Sequence, residues 1–445
     1  MWSLLKGTLL LRWPALIVTA VVLVVGTAIV AVNGLLLDAG IRGGHDELIS
    51  LAAVFGGLTV MVMITLVCVV FSLTLAQRGT EISLGRAVGV TPGQLRLLVS
   101  LEVLAIGLLS SSAGILLASP LLSRILPVMA DAGVAPGSLE APTRVLPCAV
   151  AALVGIVTSL VAGLTAVHRW AAVAPAHGLS GRHDQSGRLS PPRGWAAAAV
   201  LLGASALSLV TALVMRGPVA AATASPAVFL WTGGMALAAP VLVRPLVLAL
   251  GVLIRRAGVP GNLAAQGARA RVGMIAPVSV SVLLAVGSSL SLVAMQMSID
   301  EVVSTDLGGG PDVGGVVNYL LTGLIVAYAT VSFANTVVLW ALGARREGTT
   351  FRALGATPLL SGVVLLAELA IGVLSGLVLG VVVALVTVLP FVAALRESLM
   401  LPHGTWALSA SVLGTALTMA MVVGGIVVLM LVRRPLSTAL ASDGA

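Results

Sequence analysis

Few side chains in this sequence could do chemistry, and most of them stand apart from one another. Cys68 and Cys148 lie inside apolar runs, with no CxxC pair and no cluster of ligands nearby. The five histidines are scattered, and His168, His177, His183 and His403 have no partners at a metal-binding spacing. No metal site is expected, and the cysteines read as packing residues. No HExxH, GxSxG or glycine-rich phosphate loop occurs, so no catalytic residue is expected and any nucleotide must be hydrolysed by another molecule. Two features remain: a pair of carboxylates within apolar runs, Glu102 and Glu368, and a charged segment that occurs twice. A charge at the bilayer centre costs about 2.5–3.5 kcal/mol on insertion scales, so each glutamate needs a physical reason. One reason is a place near the inner headgroups, eased by a helix N-terminus or by an arginine such as Arg96. The other is a role in an inner vestibule, or in passing motion between halves.

The elements that hold these residues must be membrane helices. Of the 445 residues, 59% are hydrophobic and 9% charged, against roughly 25% charged in soluble domains. So few charges cannot cover a water-facing surface, so the lipid bilayer is the expected solvent. The net charge of +8 does not point to nucleic acid, because aromatic residues for base stacking are only 3%. Apolar runs of about 20 residues predict ten spans at 14–37, 50–76, 96–119, 145–167, 195–215, 226–243, 274–297, 316–342, 361–389 and 406–432. The first run is too long for a signal-peptide core and is expected to be a retained span. Pro240, Arg244 and Pro245 are expected to end the sixth span, leaving 245–256 as an interfacial helix. With both termini in the cytoplasm, 19 basic residues fall inside and 5 outside, as the positive-inside rule requires.

A repeat organises the chain. Glu81, Arg86, Gly89, Thr91, Pro92, Glu102 and Gly114 recur 266 residues later as Glu347, Arg352, Gly355, Thr357, Pro358, Glu368 and Gly380. The outer loop after the third span of each copy is expected to open with proline, at Pro120 and Pro390. The fold class that follows is an all-α polytopic membrane protein with about ten transmembrane helices. Two parallel four-helix repeats, 1–168 and 257–445, are joined by a cytoplasmic linker, 169–194, and a two-span linker with an interfacial helix, 195–256.

The repeated segment has readable local physics. Glu81 to Val88 suits a short interfacial helix, and Gly89 can take the left-handed conformation that ends it. Thr91 is then an N-cap, Pro92 the first helical residue, and Gln94 completes a capping box for the following span. The second copy keeps Gly355, Thr357 and Pro358 without the glutamine. Two charged, pre-shaped helices at the inner face suit docking onto a partner with two-fold symmetry.

The Glu-x4-Arg-Ala-x-Gly-x-Thr-Pro segment, followed by a span with an early glutamate, resembles the FtsX-like permease domain of MacB-type (type VII) ABC transporters. The resemblance implies that Glu81, Arg86, Gly89, Thr91 and Pro92, with Glu347, Arg352, Gly355, Thr357 and Pro358, form coupling helices on a separate cytosolic ABC ATPase dimer. This chain would then carry no cofactor, ATP and Mg being bound by the partner. It would sit in a bacterial cytoplasmic membrane and drive export or extraction of an amphipathic, lipid-like or peptide substrate. The outer segment 119–144, rich in leucine, is expected as an interfacial helix beside a substrate exit. Loops of only about 38–49 and 298–315 stand where many relatives carry a large extracytoplasmic domain. Two alternatives stay open: an ATPase-driven signalling module, and an ion-coupled secondary transporter, which would call for more ionisable groups at mid-membrane.

Overall fold

The computed structural model describes residues 13–77, 89–131, 144–171, 191–306, 313–396 and 404–432. These form twelve α-helices and no strand among the described residues. They are α1 (Trp13–Gly43), α2 (Asp46–Gln77), α3 (Pro92–Asp131), α4 (Val145–Ala171), α5 (Pro191–Leu213) and α6 (Ala221–Ile254). Then follow α7 (Gly258–Ala270), α8 (Val272–Asp306), α9 (Val313–Gly343), α10 (Arg345–Ala353), α11 (Pro358–Arg396) and α12 (Thr405–Val432). All but α7 and α10 are long and apolar enough to cross a membrane, which makes ten candidate spans. The chain is an all-α polytopic membrane protein.

The spans run past several of their expected ends. Pro120 and Pro127 lie within α3, and Pro390 lies within α11, rather than opening loops. The segment after 119 therefore continues α3 to Asp131, and residues 132–143 lie outside the described part. Leu122, Ile125 and Met129 point into the core, so this extension packs as protein interior and does not lie free as an interfacial helix. The expected outer loop 38–49 shrinks to a turn at Gly44, whose φ of +69° needs glycine.

The sixth span also differs. Helix α6 continues without a break through Pro240, Arg244 and Pro245 to Ile254. A proline removes the N–H that would bond the carbonyl four residues earlier, which for Pro240 is that of Ala236. Arg193 at the start of α5 supplies the donors: its Nη2 reaches Ala236 O at 3.4 Å and its Nε reaches Leu237 O at 2.9 Å. At Pro240 the helix continues because a neighbouring arginine reaches the carbonyl that the proline leaves free.

Each set of four spans packs in one pattern. In the first, α1 packs on α2, α3 and α4, while α4 also packs on α2 and α3. In the last, α8 packs on α9, α11 and α12, while α12 also packs on α9 and α11. Lipid tails are as apolar as leucine, so helices in a bilayer associate through close packing and interhelical hydrogen bonds. Glycine permits that closeness at matching places. A Cβ on Gly114 of α3 would stand 2.7 Å from Val24 O of α1, and one on Gly380 of α11 would stand 3.1 Å from Val286 of α8. Helix α9 joins the two sets by packing on α1 and α2. There Asn335 Nδ2 donates to Val18 O at 2.6 Å, and the buried Tyr328 covers Gly26. The α5–α6 hairpin lies against α8 and α11, and α8 is buried along almost its whole length.

Candidate functional site: repeated turns and buried glutamates

Helix α10 is one short element between two spans, and its end is set by local hydrogen bonds. Gly355 N donates to Arg352 O at 3.1 Å and Ala356 N to Phe351 O at 2.9 Å. With Gly355 at φ +95°, this is the paired closure that a glycine just past a helix end provides. Thr357 then caps α11, its Oγ1 accepting from Leu360 N at 3.2 Å, and Pro358 opens the helix. The tip so formed is exposed and partly apolar: Leu354 and Leu359 keep 81% and 78% of their surface open. Arg352 is half-buried in the last turn of α10. Glu347 lies within the α10 backbone.

The first copy has the same turn. Gly89 has φ +108°, and Pro92 begins α3. Thr91 and Gln94 form a reciprocal capping box: Gln94 N donates to Thr91 Oγ1 at 3.3 Å, and Thr91 N donates to Gln94 Oε1 at 3.0 Å. Residues 78–88, with Glu81 and Arg86, lie outside the described residues. The structure thus places the glycine turn and the capped start of the next span in both copies, and the short helix itself in the second.

The two glutamates are both buried and differ in what surrounds them. Glu368 of α11 is 1% exposed, and its Oε1 accepts from Arg271 Nη2 at 2.9 Å. Arg271 stands between α7 and α8, so this ion pair ties that junction to α11, about three turns beyond its capped start. Gly267 of α7 lies directly over the carboxylate, where a Cβ would come within 1.9 Å of Glu368 Oε1. Glu102 of α3 lines a cavity of about one water molecule's size. Thr19 of α1, Thr74 of α2 and Ile106 of α3 share its wall, and the two threonine hydroxyls are 3.4 Å apart. The partner of Glu368 is thus an arginine distant in the chain. The basic stretch ahead of α8 was visible in the sequence, but its pairing across 97 residues was not.

Glycine turns, capped helix starts and carboxylates fixed in a helical bundle can transmit force and shape a surface. Comparison with protein-family models adds a specific likeness. No curated protein matches the chain. Residues 53–174, which run from α2 through the first glycine turn and α3 to the end of α4, match the family described as FtsX-like permease C-terminal, whose members are membrane subunits of ABC transporters and not themselves ATPases.

Proposed function

We propose that this chain is the permease subunit of an ABC transporter, built from two FtsX-like units. The first would be 1–168 and the second 257–445, joined through 169–194 and 195–256. Segments 81–92 and 347–358 would seat on a separate cytosolic ATPase dimer that binds ATP and Mg. The observation that carries this reading is the recurrence, 266 residues apart, of one turn: a positive-φ glycine, a threonine cap and a first-turn proline at an exposed tip. The family match across the first copy and the matching helix packing of the two sets support it. Leu354 and Leu359 at the second tip offer the apolar contact that a cleft in a soluble partner would bury. Glu368 and Arg271 would pass the motion of the α10–α11 turn to the α7–α8 junction. The cargo class that suits a largely apolar bundle is an amphipathic, lipid-like or peptide molecule taken from the bilayer and exported.

Affinity capture of the tagged chain from its native membrane tests the proposal. The wild type is expected to bring down a nucleotide-binding subunit with ATPase activity, and Arg86→Glu with Arg352→Glu is expected to lose it. Recovery of an intact, folded chain with no ATPase from the wild type would overturn the assignment.

A further inference from the structure

A run of arginines with no acid near them in the chain spans the point where α6 turns into α7. Between Asp184 and Asp300 the sequence has no acidic residue and eight arginines. Three of them, Arg255, Arg256 and Arg269, lie on the two arms of this bend. The reversal is made by Gly258, at φ +80°. Helix α7 folds back along α6 so tightly that a Cβ on Gly261 would stand 2.1 Å from Ile254 O. Gly251 of α6 faces Ala265 of α7, and Arg269 lies across it with Nε 3.9 Å from the Cβ position. Residues four apart share a helix face, so Arg255 follows Gly251 onto the side where Arg269 lies. Both Arg255 and Arg269 hold an enclosed Nε–H with no acceptor among the described residues, and an enclosed donor without a partner is costly. Arg271, the next cation, is already paired with Glu368.

The same bend exposes apolar side chains. Val252, Leu253 and Val259 keep 54%, 60% and 68% of their surface open. Arginine beside open aliphatic surface, on the arginine-rich face of a membrane protein, is complementary to a phosphate ester that carries acyl chains. We propose that the α6–α7 bend binds an anionic phospholipid of the inner leaflet. Arg255, Arg256 and Arg269 take its phosphate, and its acyl chains lie along Val252, Leu253 and Val259. The site does not depend on the transport reading.

The test uses the full chain in dodecyl maltoside, with thermal unfolding followed as dioleoylphosphatidylglycerol, dioleoylphosphatidylcholine or sodium phosphate is added. Native mass spectrometry counts retained lipid. Phosphatidylglycerol is expected to raise the melting temperature and stay bound, while phosphatidylcholine and inorganic phosphate do neither. Replacing the three arginines with glutamine is expected to weaken phosphatidylglycerol binding by about tenfold or more, whereas Arg124→Gln, an exposed arginine on α3, leaves it unchanged. Arg256→Gln alone, also at an exposed side chain, is expected to weaken binding in part and gives the answer should the triple variant not fold. Equal stabilisation by phosphatidylcholine or by phosphate, or undiminished phosphatidylglycerol binding in the arginine variants, would overturn the proposal. A triple variant that keeps the lipid but loses a co-purifying protein would assign the bend to that protein instead.

Discussion

Glu102 and Glu368 hold equivalent places in the repeated sequence, 266 residues apart, and the fold surrounds them differently. Glu368 is held by an arginine from another helix and covered by Gly267. Glu102 shares a water-sized cavity with Thr19 and Thr74. The helix seams beside them also differ in their hydroxyl contacts. Between α8 and α11, Ser279 Oγ donates to Gly372 O at 2.8 Å, and Thr387 pairs with Ser291 at 3.0 Å. Along α1 and α3, the hydroxyls of Thr27 and Ser111 are buried with no acceptor among the described residues. Helices in a bilayer gain little from apolar contact alone, so interhelical hydrogen bonds weigh more in deciding which seam is firm. The repeated motif keeps its backbone geometry while its two glutamates take different surroundings. The second copy is tied into the α7–α8 junction through Arg271, and the first holds its glutamate beside a small cavity between α1, α2 and α3.

The largest expected effect is at the Glu368–Arg271 ion pair. Arg271→Ala leaves the Glu368 carboxylate buried without its cation and is expected to cost about 3–5 kcal/mol of stability. Adding Glu368→Leu should return most of that loss. The first-copy change, Glu102→Gln, is expected to cost less, about 1–3 kcal/mol, because the amide keeps the shape of the carboxylate and can still hydrogen-bond. Unfolding by sodium dodecyl sulfate titration measures all of these. Equal losses for Arg271→Ala and Glu102→Gln would erase the distinction between the copies.

Substitutions at the seam glycines come next in size. A methyl at position 114 would press on backbone, 2.7 Å from Val24 O and 3.1 Å from Ala28 N, which can yield only if α1 moves. One at position 380 would first meet the Val286 side chain at 3.1 Å and Gly287 N at 3.2 Å. Gly114→Ala is therefore expected to cost about 1–3 kcal/mol and Gly380→Ala less, with melting temperatures in detergent ranking the two. The reverse ranking would show that the first seam gives way more easily than its backbone contacts imply.

The smallest effects lie at the caps. Thr91→Ala and Thr357→Ala should each cost about 1 kcal/mol, read as faster amide exchange in the first turns of α3 and α11. Gln94→Ala should speed exchange at Thr91 alone, because only the first copy has a reciprocal box.

The features that the sequence settled are those whose physics closes within a few residues. The glycine turns at Gly89 and Gly355 needed only their own φ, and the threonine caps needed only an amide three residues ahead. Ten apolar runs long enough for a bilayer likewise predict ten helices, because in lipid the backbone must satisfy itself. Helix ends at proline were misplaced for the opposite reason: whether a helix survives proline depends on what else can bond the freed carbonyl. At Pro240 that donor is Arg193, 43 residues from Ala236 in the chain. The same holds for the pairing of Glu368 with Arg271, the cavity beside Glu102 and the arginines gathered at the α6–α7 bend. Charge placement along the chain was legible, but which charges are neutralised is a matter of distance in space, and only the packing of α7 between α6 and α11 set those distances.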